Sequence, residues 1–80
     1  MTNLSNIKLP QDLRQQVKDM QKYVSAYTAN RGKPPIRVLV TAKTHGKLTE
    51  KAKAVRTGIG AAFDGRLEVD GIPLEIISNG

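Results

Sequence analysis

The sequence contains no cysteine and no tryptophan, and its aromatic residues are only Tyr23, Tyr27 and Phe63. Without cysteine, neither a disulfide framework nor a thiolate metal site can reinforce the fold, which fits a reducing compartment. Because so few aromatic rings are present to stack on bases, any contact with nucleic acid is expected to be made through phosphates and to depend on salt.

Long hydrophobic runs are also absent. No stretch approaches the roughly 18 consecutive apolar residues of a membrane span, and residues 1–8 lack the apolar run of a secretory signal. We therefore expect a cytoplasmic protein, in the bacterial host if a phage encodes it. The 80 residues suffice for one domain with a small core, which leaves little room for a deep enzymatic pocket.

The charge is unevenly distributed along the chain. The net charge is +6, but residues 1–60 carry twelve basic and three acidic side chains, whereas residues 61–80 carry one basic and four acidic ones. A basic N-terminal part therefore precedes a mildly acidic C-terminal part. This asymmetry indicates an anionic partner for the basic part or a head-to-tail contact between copies.

Residues 9–80 are predicted to form the single domain, and residues 1–8 a flexible arm. A first helix should start at Pro10, which suits the first helical position, and should end at Gly32 before Pro34-Pro35. Its apolar residues recur at every third or fourth position, as one helical stripe requires: Leu13, Val17, Met20, Val24 and Tyr27. The same spacing is typical of a coiled-coil seam, so a homodimer through this helix is an alternative.

Residues 36–41 are rich in β-branched side chains and predict a strand, and residues 44–57 predict a second helix. The narrow apolar stripe of this helix contains Leu48, Ala52 and Val55, with Ile59 as a candidate continuation. A glycine-rich connection follows at residues 57–65. Leu39 lies among polar neighbours, so we interpret the second face of the strand as partly covered too and the strand as an inner one.

The strongest local signal is a β-hairpin over residues 66–77 that turns at Asp70-Gly71, because a type I′ turn needs positive φ at both positions. Its register pairs Val69 with Ile72 and continues through Leu67 with Leu74 and Arg66 with Glu75. One face then contains Leu67, Val69, Ile72, Leu74 and Ile76. Pro73 lacks an N–H toward any further strand, which predicts an edge position for residues 72–77.

The predicted fold is therefore a small α+β domain of order α-β-α-β-β. Its three-stranded mixed sheet ends in the C-terminal hairpin, and two helices pack on one face. Strand 36–41 should lie beside residues 66–69 and run parallel to them, because a helix connects the two.

No catalytic signature stands out. Gly46-Lys47-Leu48-Thr49 lacks the upstream glycine and the serine or threonine of a phosphate-binding loop, and Gly58-Ile59-Gly60 follows a helix and does not open one. His45 is the only histidine, so no metal site is expected, and no serine or threonine has a recognisable base partner. We expect a protein that is not an enzyme and has no cofactor.

The basic residues are the candidate contact surface. Three recur every four residues on the first helix and the others lie on and around the second: Arg14, Lys18, Lys22, Lys43, Lys47, Lys51, Lys53 and Arg56. Charged stripes of this kind are most often solvated helix faces. The alternatives are contacts with an acidic protein or with a nucleic-acid backbone.

Residues 36–79 resemble a segment of the major capsid proteins of tailed bacteriophages. The resemblance rests on Val38-Leu39-Val40 leading into a helix, on a glycine-rich loop, and on Asp70-Gly71-Ile72-Pro73-Leu74 followed by Ser78-Asn79. It covers about half of the chain, which is far shorter than a capsid shell protein. The resemblance implies a phage or prophage origin and a related β-α-β-β unit, and it assigns no functional residue.

These observations predict a small, non-enzymatic accessory protein that binds a protein partner. The alternative is backbone-directed binding of nucleic acid through the lysine-rich helix faces.

Overall fold

The computed structural model describes residues 2–77. In chain order the elements are β1 (Thr2–Asn3), a short 3-10 turn (Leu4–Asn6), α1 (Gln11–Arg31), β2 (Val38–Val40), α2 (Ala42–Gly58), β3 (Leu67–Val69) and β4 (Ile72–Ile76). The α+β class and the C-terminal hairpin are confirmed. The described sheet is mixed, as expected, but it has four strands where three were predicted.

Helix α1 ends where its sequence signals indicate and begins one residue later than predicted. Pro10 is the residue before the first helical position, and Gly32 ends the helix in the left-handed conformation with φ 76°. At Gly32 the backbone N–H donates to the carbonyl of Thr28 at 2.8 Å, which satisfies one of the last free carbonyls of the helix. The predicted stripe is buried at Leu13, Val17, Met20 and Val24.

Helix α2 is longer than predicted because Thr41 caps it. The Thr41 hydroxyl accepts a hydrogen bond from the backbone N–H of Thr44 at 3.2 Å, so the helix begins at Ala42. Leu48 and Ala52 are fully buried, whereas Ile59 lies beyond the helix and is 74% exposed. The stripe prediction is therefore correct for the centre of the helix and wrong at Ile59.

The hairpin turns at Asp70-Gly71 with φ of 51° and 84°, as a type I′ turn requires. Val69 pairs with Ile72 and Glu68 with Pro73, which confirms the predicted register at the turn. The described antiparallel pairing ends there. Glu75 faces Leu39 of β2 in the sheet, and Arg37 is the residue that forms an ion pair with its carboxylate.

The predicted position of β2 is wrong. The strand order is β1-β3-β4-β2, so β2 is an edge strand that runs parallel to β4 and is not paired with β3. Pro73 is compatible with an inner β4 because the ladder to β2 starts one residue later, where Leu74 faces Val38. The donor missing at Pro73 would have bonded to the carbonyl of Ile36. This explains why β2 begins only at Val38 and why Ile36 is 88% exposed.

The N-terminal residues also differ from the expected flexible arm. Thr2 and Asn3 form β1, which pairs in parallel with Leu67 and Glu68 at the other sheet edge. Leu4 is 1% exposed and Leu9 is 6% exposed, so both belong to the core. Apolar residues spaced this widely produce no periodic pattern, and the contribution of the segment is therefore invisible to an analysis of periodicity.

One hydrophobic cluster holds the elements together. Buried and exposed positions alternate along β2 and β3, so a single face of the sheet is buried. Both helices contribute side chains to the same cluster, and Ile7 and Phe63 pack against it from the connections. The opposite face presents Leu39, Glu68, Pro73 and Glu75, none of which is buried.

Candidate functional site

The predicted basic residues of α1 are exposed, and the structure brings two of them together with a third cation. Arg14 and Lys18 line a cavity beside the 3-10 turn together with Lys8, whereas Lys22 does not line it. Nη2 of Arg14 donates to the carbonyl of Leu9 at 3.3 Å, which orients the guanidinium over the N-terminal segment. Part of the predicted α1 surface is thus a concave site with a basic rim.

The basic residues of α2 form a separate surface. Lys43, Lys47, Lys51 and Lys53 are exposed, and none of them makes an ion pair within residues 2–77. Arg56 is half-buried, and its Nε donates to the carbonyl of Ala62 at 3.1 Å. Arg56 therefore fastens the connection that follows α2, whereas the four lysines are free to meet a partner.

A second feature, not predicted from the sequence, is the free edge of β2. The residues of a parallel strand that bond to one neighbour alternate along the strand. Because the N–H of Ile77 donates to the carbonyl of Val40 at 2.8 Å, the backbone groups of Val40 and Val38 face β4. The N–H and C=O of Leu39 therefore point away from the sheet, and no strand of the described chain covers them.

Exposed apolar side chains surround this edge. Leu39 is 54% exposed and Tyr23 is 49% exposed. Together with Tyr27, Pro35, Ile36 and Arg37 they line a depression of about 380 Å³ between α1 and the start of β2. The two tyrosine rings lie 6.0 Å apart, and the guanidinium carbon of Arg31 lies 5.0 Å from the centre of the Tyr27 ring.

A second depression, of about 270 Å³, meets the first at Leu39. Its walls are Gln16, Asp19 and Met20 of α1, Val40 and Thr41 at the end of β2, Thr44 of α2, and Ile77. The two depressions together form one groove, here called the β2 groove, along the free strand edge. Apolar residues line most of it, and Asp19 supplies its acidic group and Arg37 its basic one.

The ion pair near the β2 groove is weak. Nε of Arg37 lies 3.1 Å from Oε2 of Glu75, and both side chains are more than half exposed. An exposed pair of this kind contributes about 0–1 kcal/mol, so a partner can compete for Arg37. Away from the groove, the backbone N–H of Arg66 donates to Asp64 at 3.0 Å and lowers the pKa of that carboxyl below its usual value.

Two signals in the sequence point to the β2 groove once the fold is known. The isolated Leu39 on a polar strand face is compatible with an exposed edge as well as with a covered one. Pro73 lacks the N–H that the Ile36 carbonyl would need, so Ile36 stays outside the ladder. The sequence does not choose between these interpretations, because strand order depends on contacts between distant residues.

Fold and site define a small α+β domain with a free, apolar sheet edge and two basic surfaces. No protein-family model matches the chain, and neither does any curated protein or solved structure. Within residues 2–77, no group of three or more acidic or histidine side chains is placed to hold a metal ion, and no helix is long and apolar enough to cross a membrane. Ser78-Asn79 lies outside the described residues.

Proposed function

We propose that this protein is a non-enzymatic accessory protein that binds another protein by accepting an extended segment along β2. The observation that supports the proposal is the free strand edge at Leu39, where the two depressions of the β2 groove meet. An added strand would gain main-chain hydrogen bonds from this edge and would place alternate side chains in the groove.

Burial of apolar side chains should contribute more to the binding free energy than hydrogen bonds to the backbone of β2. Each hydrogen bond to the Leu39 backbone contributes about 0.5–1.5 kcal/mol net, and only this residue of the short strand directs both of its backbone groups outward. Fully burying a large apolar side chain contributes about 1.5–3 kcal/mol. Ile36, Leu39 and Tyr23 are exposed enough for their burial to supply most of the affinity.

The groove also indicates the chemistry of the segment. Residues that face α1 should be apolar, because Met20, Tyr23 and Tyr27 line that wall. Acidic residues are expected at the end near Pro35, where Arg31, Lys33 and Arg37 are exposed. The partner segment is therefore a strand with alternating apolar residues and acidic groups at one end.

A displayed library of extended peptides of about eight residues tests the proposal. Peptides selected on the intact protein should show the alternating pattern with acidic residues at one end. Ile36→Ser should weaken their binding about tenfold, because it removes an apolar contact in the groove without adding a charge. Ile59→Ser is the matched control, since Ile59 is 74% exposed but does not line the groove.

Equal weakening by Ile36→Ser and Ile59→Ser, measured by fluorescence anisotropy, would contradict the assignment of the groove. So would a selection that yields no common pattern. A phage or prophage origin and a cytoplasmic location remain part of the proposal, supported by the resemblance of residues 36–79 and by the composition.

A second candidate is backbone-directed nucleic-acid binding by α2. It is favoured by one observation: Lys43, Lys47 and Lys51 are exposed on successive turns and have no acidic partner within residues 2–77. Such binding would be insensitive to base sequence and would weaken steeply as salt rises.

A further inference from the structure

The cavity beside the 3-10 turn is a different site from the β2 groove. It has a volume of about 340 Å³ and lies between residues 4–9 and α1. Its apolar floor consists of Leu4, Leu9 and Val17, all buried in the core, with Ile7 half-buried at one side. The volume is near the lower limit for small-molecule pockets, which restricts any occupant to a small molecule.

One wall of the cavity is polar, and its side chains are hydrogen-bonded within the protein. Nε2 of Gln21 donates to the Ser5 hydroxyl at 2.9 Å, and that hydroxyl donates to Oδ1 of Asp70 at 2.7 Å. This chain joins α1, the 3-10 turn and the hairpin turn, so it fixes the shape of the wall. The Asp70 carboxylate is thereby occupied by Ser5 and is not part of the lining.

The rim of the cavity carries three cations with unused donors. Lys8, Arg14 and Lys18 line the cavity, and none of them makes an ion pair within residues 2–77. Arg14 and Lys18 are one helical turn apart, where like charges repel by about 0.2–0.5 kcal/mol. Arg14 uses one donor on the Leu9 carbonyl and retains the others. A bound anion would relieve this repulsion and use the free donors.

We propose that this cavity binds a small amphiphilic anion, that is, a molecule with a short apolar body and one carboxylate or phosphate group. The apolar body contacts Leu4, Ile7 and Val17, and the anionic group lies among Lys8, Arg14 and Lys18. The site is independent of the protein-binding edge, since its lining shares no residue with that of the β2 groove.

Two probes of equal chain length separate the apolar and the anionic contributions: hexanoate and 1-hexanol. Each is titrated into the intact protein and followed through its backbone amide NMR signals. Hexanoate should shift the amides of residues 4–9 and 14–21 and should bind at least about tenfold more tightly than 1-hexanol, because charge-assisted hydrogen bonds contribute about 1.5–3 kcal/mol.

The variant Lys8→Gln/Lys18→Gln should reduce hexanoate affinity at least about tenfold and leave that for 1-hexanol unchanged. Neither lysine makes a hydrogen bond or ion pair within residues 2–77, so the fold should persist, as the same NMR spectra report. The control Lys47→Gln/Lys51→Gln removes equal charge from α2 and should change affinity less than twofold. The proposal is overturned if the two probes bind equally, if the two variants weaken hexanoate equally, or if the shifted amides lie elsewhere.

Discussion

Replacing Leu39 with proline tests whether the backbone N–H of Leu39 points away from the sheet. Proline removes the backbone N–H, and in this structure that N–H points away from the sheet. Edge strands tolerate proline where the lost donor faces solvent, and the preceding residue is already extended. The matched substitution is Val38→Pro, which removes a donor that faces β4 one residue earlier in the same strand.

The two substitutions should lower the free energy of unfolding by different amounts. The Leu39 side chain is 54% exposed, so Leu39→Pro forfeits about half of the 1.5–3 kcal/mol of a buried leucine. A proline that fits its site returns about 0.4–1 kcal/mol by restricting the unfolded chain, which leaves a net loss below about 1 kcal/mol. Val38 is 3% exposed, and Val38→Pro also leaves a ladder acceptor unpaired, so its loss should exceed about 3 kcal/mol.

Urea unfolding followed by circular dichroism measures both losses as differences in the free energy of unfolding. For a domain of this size, a gap of about 2 kcal/mol also separates the melting temperatures by about 10 °C. If Leu39→Pro and Val38→Pro destabilise the protein equally, the alternation of bonding groups along β2 is wrong and Leu39 does not present a free edge.

Leu48→Ala should cost about 3–4 kcal/mol in urea unfolding, because Leu48 is 0% exposed and the closely packed helix cannot refill the space. Leu39→Ala, at an exposed site, is the control and should cost less than about 1 kcal/mol, and equal losses would contradict the position of Leu48 in the core. The combined change of Lys43, Lys47 and Lys51 to glutamate should abolish binding to generic duplex DNA, measured by anisotropy at two salt concentrations, and should leave the circular dichroism spectrum unchanged. The absence of any DNA binding by the unaltered protein at low salt would eliminate the nucleic-acid candidate.

Local signals in the sequence predicted the elements well. The stripe from Leu13 to Val24, the stop at Gly32 and the turn at Asp70-Gly71 each depend on neighbouring residues alone, and each is present in the structure. A helical period, a left-handed glycine and a type I′ turn leave direct traces in sequence.

Strand order is harder to predict from the sequence. Pro73 predicts an edge strand, but a strand can accept a neighbour if the ladder starts one residue after the proline. That single difference moves β4 inward and β2 outward, and it exposes the edge of β2, which the sequence does not predict. The sequence predicts the basic helix residues as a candidate contact surface, whereas the arrangement of Lys8, Arg14 and Lys18 around a cavity depends on the buried Leu4 and Leu9.

Hydrogen exchange at the Leu39 amide tests the central proposal most directly. In the free protein the Leu39 N–H should exchange much faster than those of Val38 and Val40, which face β4. Binding of a peptide selected on the protein should slow exchange at Leu39 strongly, because the amide then donates to the added strand. Tight peptide binding with unchanged exchange at Leu39 would contradict strand addition at β2.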